Sequence, residues 1–145
     1  MIVDELTAIV IDEAVHIHRE LGPGLFESVY EVVLSGRLSA RGLTVERQVP
    51  VPIVFDGMAF DPAFKIDLLV ERSLILEIKS VEALSRAHAK QLLTYLRLMK
   101  QPVGLLLNFS GETMREGIRR LVNNHHLRDL SASSLPSAPP REPAR

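Results

Sequence analysis

The segment from 74 to 109 constrains the fold most. It sets a short apolar run, "LILEIKS" (74–80), before a helix-length amphipathic stretch, "LSRAHAKQLLTYLRLMK" (84–100), and then a second apolar run, "VGLLLNF" (103–109). Two strands joined by a helix make a crossover, and a crossover lays its strands parallel. Upstream, "KIDLLV" (65–70) and the turn "ERS" lead into "LILEIKS", which makes that neighbouring strand antiparallel. The sheet is therefore expected to be mixed and flanked by helices.

The rest of the chain fills in around this unit. Asp4 is expected to cap a helix whose apolar positions Leu6, Ile9, Val10, Ala14, Ile17 and Leu21 recur at helical spacing, with "GPG" at 22–24 ending it. A second helix is expected over about 25–41, with Val29, Val32, Val33 and Leu38 as its buried stripe and Gly42 as its stop. Val45, Val49, Val51, Ile53 and Phe55 recur with a period of two, so this stretch reads as a strand that Pro50 and Pro52 place at an edge or break. Asp56-Gly57 signals a hairpin into a run ending near Val70. Three antiparallel strands result. A final helix is expected at about 112–124, and the Ser, Ala and Pro content after Ser131 predicts disorder. The fold class is α/β, with one domain over 1–128 and a disordered tail over 129–145.

Composition removes several classes of function. At 145 residues the chain has the length of one ordinary domain. No apolar run approaches the ~20 residues that span a bilayer. The acid-bearing N-terminus is unlike a signal peptide, so a cytoplasmic location and no membrane partner are expected. The absence of cysteine excludes disulfides, thiolate zinc sites and cysteine nucleophiles. A formal net charge of -1 argues against coating nucleic acid by bulk electrostatics. Basic residues nevertheless cluster late, at Arg86, Lys90, Arg97, Lys100, Arg115, Arg119, Arg120 and Arg128. Taken alone, such charges read as a solvated helix face.

The chemistry concentrates where charge interrupts apolar strands. Glu77 and Lys79 share a face of "LILEIKS", and the turn at 71–73 brings Asp67 alongside. Two carboxylates, with backbone carbonyl and water, are what Mg²⁺ or Mn²⁺ accepts, and Lys79 beside them could orient a water, deprotonate it as the neutral amine, or steady phosphate charge as the ammonium. An edge-strand ion pair between Glu77 and Lys79 is the competing explanation. His88, Gln91 and Tyr95 share one face of the following helix, where they could grip a phosphate or base or simply form a polar stripe. Glu27 and Tyr30 lie in the first turns of the second helix, where an acid also suits the helix dipole. His125 and His126 are adjacent and diverge by ~100° on a helix, which disfavours shared ligation.

"GLFESVY" (Gly24, Glu27, Tyr30), followed in order by Asp67, "EIK" (Glu77, Lys79) and "QLLTY" (Gln91, Tyr95), resembles the signature of the GxxExxY family. That family is similar to the PD-(D/E)xK nuclease superfamily, whose restriction-endonuclease-like core runs α-β-β-β-α-β. The resemblance covers about residues 5–125. It implies that Asp67 and Glu77 are the principal metal ligands, with the Ile78 carbonyl as a third and Glu27 in support. It also implies that Lys79 is the catalytic lysine and that Gln91 with Tyr95 match a QxxxY element. Ile66 stands where the superfamily's name has proline.

The expected activity is Mg²⁺- or Mn²⁺-dependent hydrolysis of phosphodiester bonds in DNA, with RNA as the alternative substrate. Tyr30, Arg86, His88, Lys90 and Arg97 are the expected nucleic-acid contacts, and two strands to cut make a homodimer an expectation. The competing function is a catalytically silent nucleic-acid- or protein-binding module on the same fold.

Overall fold

In a computed structural model, which describes residues 1–61 and 64–124, helices cover both faces of a five-stranded mixed sheet. The elements are α1 (Val3–Leu21), α2 (Glu27–Ala40), β1 (Val45–Pro50), β2 (Ile53–Phe55), β3 (Met58–Phe60), β4 (Lys65–Val70), β5 (Leu74–Lys79), α3 (Arg86–Met99), β6 (Val103–Asn108) and β7 (Ile118–Val122). Strand order is β1-β4-β5-β6-β7, and β2 with β3 forms a separate ribbon. The β5-α3-β6 crossover gives the one parallel pair among the described strands, with Leu74 beside Val103 and Lys79 beside Asn108. This is the restriction-endonuclease-like α/β architecture. No described helix is long and apolar enough to cross a membrane.

Alternation along β5 divides the core. Leu74, Leu76 and Ile78 pack with Leu6, Val10, Ala14 and Ile17 of α1 and with Tyr30, Leu34 and Leu38 of α2. Ile75 points the other way, to Leu92, Tyr95 and Leu96 of α3. Gly104 lets α3 lie close on β6, since a Cβ there would come within 3.0 Å of Leu92. Ser85 and His88 close a reciprocal cap at the start of α3. In the loop before α2, the Tyr30 hydroxyl donates to the Gly22 carbonyl at 2.6 Å and accepts from the Leu25 N–H at 3.2 Å. Its ring stacks on Phe109, with centroids 4.3 Å apart.

Several local expectations change. Asp4 does not cap α1; the N-cap is Ile2, and Asp4 lies in the first turn and pairs with Arg120 at 3.0 Å. The buried stripe of α2 is Tyr30, Glu31, Leu34 and Leu38, whereas Val29 and Val32 are exposed. The strand expected over 45–55 breaks at Pro50 and Pro52, and the run expected from Met58 to Val70 divides into β3 and β4. The largest change is at 112–124. In place of a helix there is a 3₁₀ turn, Arg115–Gly117, followed by β7 on the open edge of β6. Gly117 permits that course, because a Cβ would lie 2.0 Å from the Asn108 carbonyl oxygen. The tail over 129–145, the domain end at 128, and His125 and His126 lie outside the described residues.

Candidate active site

The β4–β5 ladder runs back from its turn as far as Leu68 opposite Leu76. The next pair in that register is Asp67 and Glu77, and there side chains replace the backbone acceptors. The Asp67 N–H donates to Glu77 Oε1 at 3.1 Å, and the Ile78 N–H donates to Asp67 Oδ2 at 2.7 Å. The amides are satisfied although the regular ladder has ended. Alternation on β4 slips at the same place: Leu68 and Val70 join the α1/α2 side, while Ile66 and Leu69 both join the α3 side. Residues three apart share a side only if the strand turns between them. The strands part at the two acids.

Opposite Asp67 on β1 is Gln48, between the pairs Arg47–Leu68 and Val49–Ile66. Its φ of 52° is a left-handed value that non-glycine residues seldom adopt. Gln48 Nε2 donates to Glu31 Oε1 at 2.7 Å and to Asp67 Oδ1 at 3.4 Å, which spans the space between the carboxylates. The other Glu31 oxygen receives Arg47 Nε at 3.1 Å and Nη2 at 2.9 Å. Glu31, buried on α2, is thus joined to Asp67 through one amide group.

Electrostatics single out the same acids. Burial, reinforced by the Asp67 charge, pushes the Glu77 carboxyl up to about 8; Lys79 and the Asp67 N–H act against the rise. Burial also raises Asp67, with Glu31 adding to the effect and the Ile78 N–H, Gln48 and Lys79 opposing it. Tyr95, on the α3 side of the sheet, is raised by burial and then by the charges of Glu77 and Asp67. A buried carboxylate and a half-buried one that repel each other favour either a proton or a cation between them.

The remaining expected residues separate into those near the pair and those away from it. Lys79 is half-buried, two residues beyond Glu77 on the same strand, and its charge acts on both acids. Ile78 is bound to Asp67 through its N–H. Glu27 is exposed and accepts the Ser80 N–H at 2.9 Å, which fixes the strand's exit. Glu31, one helical turn after Glu27, is the α2 acid whose charge bears on Asp67 and Glu77. Tyr30 is fully buried under the α2 loop, so its assignment as a nucleic-acid contact is wrong; it orders the segment that carries Glu27. His88 spends Nδ1 on the α3 cap, and Gln91 is exposed.

Arg86, Lys90 and Arg97 fall within ~40° of one another on α3 and point away from the Tyr95 side, at ~100° per residue. All three are exposed. The basic stripe and the acid pair therefore occupy opposite sides of one helix. Glu31, Gln48 and Arg47 went unnoticed in the sequence. The only signal for Glu31 was its four-residue spacing from Glu27, and none marked Gln48.

Residues 4–121 match the profile of the PD-(D/E)XK nuclease superfamily. The chain belongs to this superfamily. Among solved structures, one described as "Crystal structure of SSO0001" is similar, with 20% identity and a TM-score of 0.49. The match covers 80% of this chain and spans 61% of that one. No curated protein matches. PD-(D/E)XK nucleases typically use divalent metals. The donor set here fits such an ion: two carboxylates offer hard oxygen ligands whose repulsion a cation would relieve. Among the described residues no three His, Cys, Asp or Glu side chains gather into a ready cluster, so carbonyl and water oxygens would complete the shell.

Proposed function

We propose that this PD-(D/E)XK protein is a Mg²⁺- or Mn²⁺-dependent nuclease of the GxxExxY type that hydrolyses phosphodiester bonds in DNA, its single domain ending near residue 128. The observation that carries the reading is the parting of β4 and β5 at Asp67 and Glu77, where a half-buried and a buried acid are held by each other's strand amides. In this reading Asp67, Glu77 and the Ile78 carbonyl hold the ion. When bound, the ion activates water and neutralises charge on the phosphate.

Lys79 stands on the same strand face as Glu77, placed to take a proton from the attacking water or to balance phosphate charge. Tyr95, on which the charge of both acids acts, orients water or phosphate through its hydroxyl, with Gln91 as its partner at the helix edge. Glu27 holds the strand exit through Ser80 and supports the ion from there. Arg86, Lys90 and Arg97, with His88, offer the more distant phosphate contacts. Two strands of a duplex call for two such sites, which makes a homodimer part of the reading.

Calorimetric titration of Mn²⁺ into wild type and Asp67→Ala tests the centre without a chosen substrate. Saturable binding that is lost in the variant is expected, together with cleavage of DNA that Lys79→Ala abolishes while both variants remain folded. Equal Mn²⁺ binding by the two proteins would remove this assignment of the centre. The separation of the basic α3 stripe from the acids favours one second reading, a module that binds nucleic acid without cutting it. Binding to DNA that is lost on charge reversal at Arg86 and Lys90 but indifferent to Asp67→Ala, with no cleavage, would select that reading.

A further inference from the structure

Phe26 is the most exposed of the five phenylalanines, at 84%. A lone apolar side chain at the surface needs no explanation. What sets this one apart is the way its neighbours are held. The Leu25 carbonyl accepts from Ser80 Oγ at 2.9 Å, and the Glu27 carboxylate accepts the Ser80 N–H at 2.9 Å. Both flanking residues are thus tied to the residue that follows Lys79 at the exit of β5. The Leu25 N–H also donates to the Tyr30 hydroxyl, and the Phe26 carbonyl accepts the Val29 N–H at 3.0 Å to start α2. The backbone is pinned, while the ring stacks on no other described ring. Bond lengths and these contacts place the Phe26 Cα within ~13 Å of the Lys79 Cα.

The composition of the segment narrows what the ring can meet. No Lys or Arg lies between Arg19 and Arg37, and the charges there are Glu20, Glu27 and Glu31. Phosphate, of a strand or of an anionic membrane, finds no attraction in it. A protein partner needs ~800 Å² on each side, several times the ~200 Å² of one aromatic ring, and Leu25 and Val29 beside it are only 38% exposed. The flat face of a nucleobase asks for one ring and no charge. Lys79, which the proposed nuclease reading sets against the phosphate, fixes where such a base would lie. A stacked strand advances ~3.4 Å per nucleotide, so a base within about four nucleotides of that phosphate reaches Phe26.

We infer that Phe26 is a stacking platform for a base of an unpaired DNA strand beside the acid pair. The inference rests on the nuclease reading only for the path of the strand. Bases inside an intact duplex are stacked on both faces, and freeing one costs free energy that a single strand or an opened end does not require. Phe26 therefore gives the site a preference for DNA whose bases are already free. It does so without reading sequence, because every base has a π face. It adds affinity without adding a salt-dependent contact, since stacking releases no counterion.

The chain has no tryptophan, so Phe26→Trp installs a lone indole reporter. In Mg²⁺, on a Lys79→Ala background that holds the strand without cutting it, an oligothymidylate of about 12 nucleotides should quench the indole saturably. A strand of the same length with abasic sites throughout carries the same phosphates and should not quench. By anisotropy of a labelled oligothymidylate, Phe26→Ala and Phe26→Leu should each bind about 5- to 150-fold more weakly than the parent, with an unchanged dependence on salt. Their far-UV circular dichroism and their affinity for a blunt hairpin duplex should match the parent. No quenching by either strand, equal quenching by both, or an indole already blue-shifted under protein before any strand is added would each overturn the proposal. Full binding by Phe26→Ala, in a protein whose wild type cuts DNA, would overturn the platform and leave the nuclease reading standing. Saturable quenching by a strand that the wild type never cuts would keep the platform and remove the nuclease reading.

Discussion

Replacing Glu77 by Gln should make the metal-free protein more stable at alkaline pH, although it deletes a central group of the site. An acid whose folded-state value is about 8, against an ordinary 4.5, holds its proton in the folded chain after the unfolded chain has lost it. The folded state therefore binds more protons between those two values, and stability falls as pH rises through that window. It is fully present below pH 4.5 and lost once pH passes about 8. The shift corresponds to roughly 3–5 kcal/mol, a large share of the 5–15 kcal/mol typical of a domain. Asp67, raised by burial as well, acts in the same direction.

Glutamine keeps an oxygen to accept the Asp67 N–H and carries no charge to desolvate. Urea unfolding in a chelator at pH values from about 5 to about 8 should show the wild-type midpoint falling and that of Glu77→Gln nearly level. At the upper pH the variant should lead by roughly 2–4 kcal/mol. Adding Mn²⁺ should restore the wild type and leave the variant unmoved. A wild-type midpoint constant across the window, or a variant that falls in parallel with it, would refute the burial of Glu77 beside Asp67 as the cause.

Two further substitutions test the surroundings. Gln48→Gly should be about 1 kcal/mol more stable to urea than Gln48→Ala, because glycine alone is at ease at a φ of 52°, while both lose Mn²⁺ affinity to a similar extent through release of Asp67. Gly117→Ala should cost about 3 kcal/mol or more by the same measurement, since the added methyl would meet the Asn108 carbonyl at 2.0 Å and push β7 from β6.

The parts of this fold that were legible in the sequence are those where local pattern and tertiary demand coincide. "LILEIKS", the helix after it and "VGLLLNF" could satisfy their backbone and bury their side chains in only one arrangement, and period-two spacing put Glu77 and Lys79 on one face. The convergence of Asp67 and Glu77 followed from the short turn. The strand β7 was not legible, because "IRRLV" is too short to declare a period and the open edge of β6 decides its state. The buried stripe of α2 departs from its apolar spacing for a related reason. Val29 and Val32 are exposed while Glu31 is buried, because its carboxylate is held by Arg47 and Gln48 from β1. Nothing in a glutamine's neighbours announces a left-handed backbone.

The amides of Asp67 and Ile78 are tied to carboxylate oxygens rather than to strand carbonyls. That makes them spectroscopic probes already built into the chain. A proton on Glu77, or any cation or phosphate that drew the acids away, would change the charge on their acceptors and move their resonances together. Occupancy of the centre could be followed at these two backbone positions in an isotope-labelled sample, with no substrate, label or mutation.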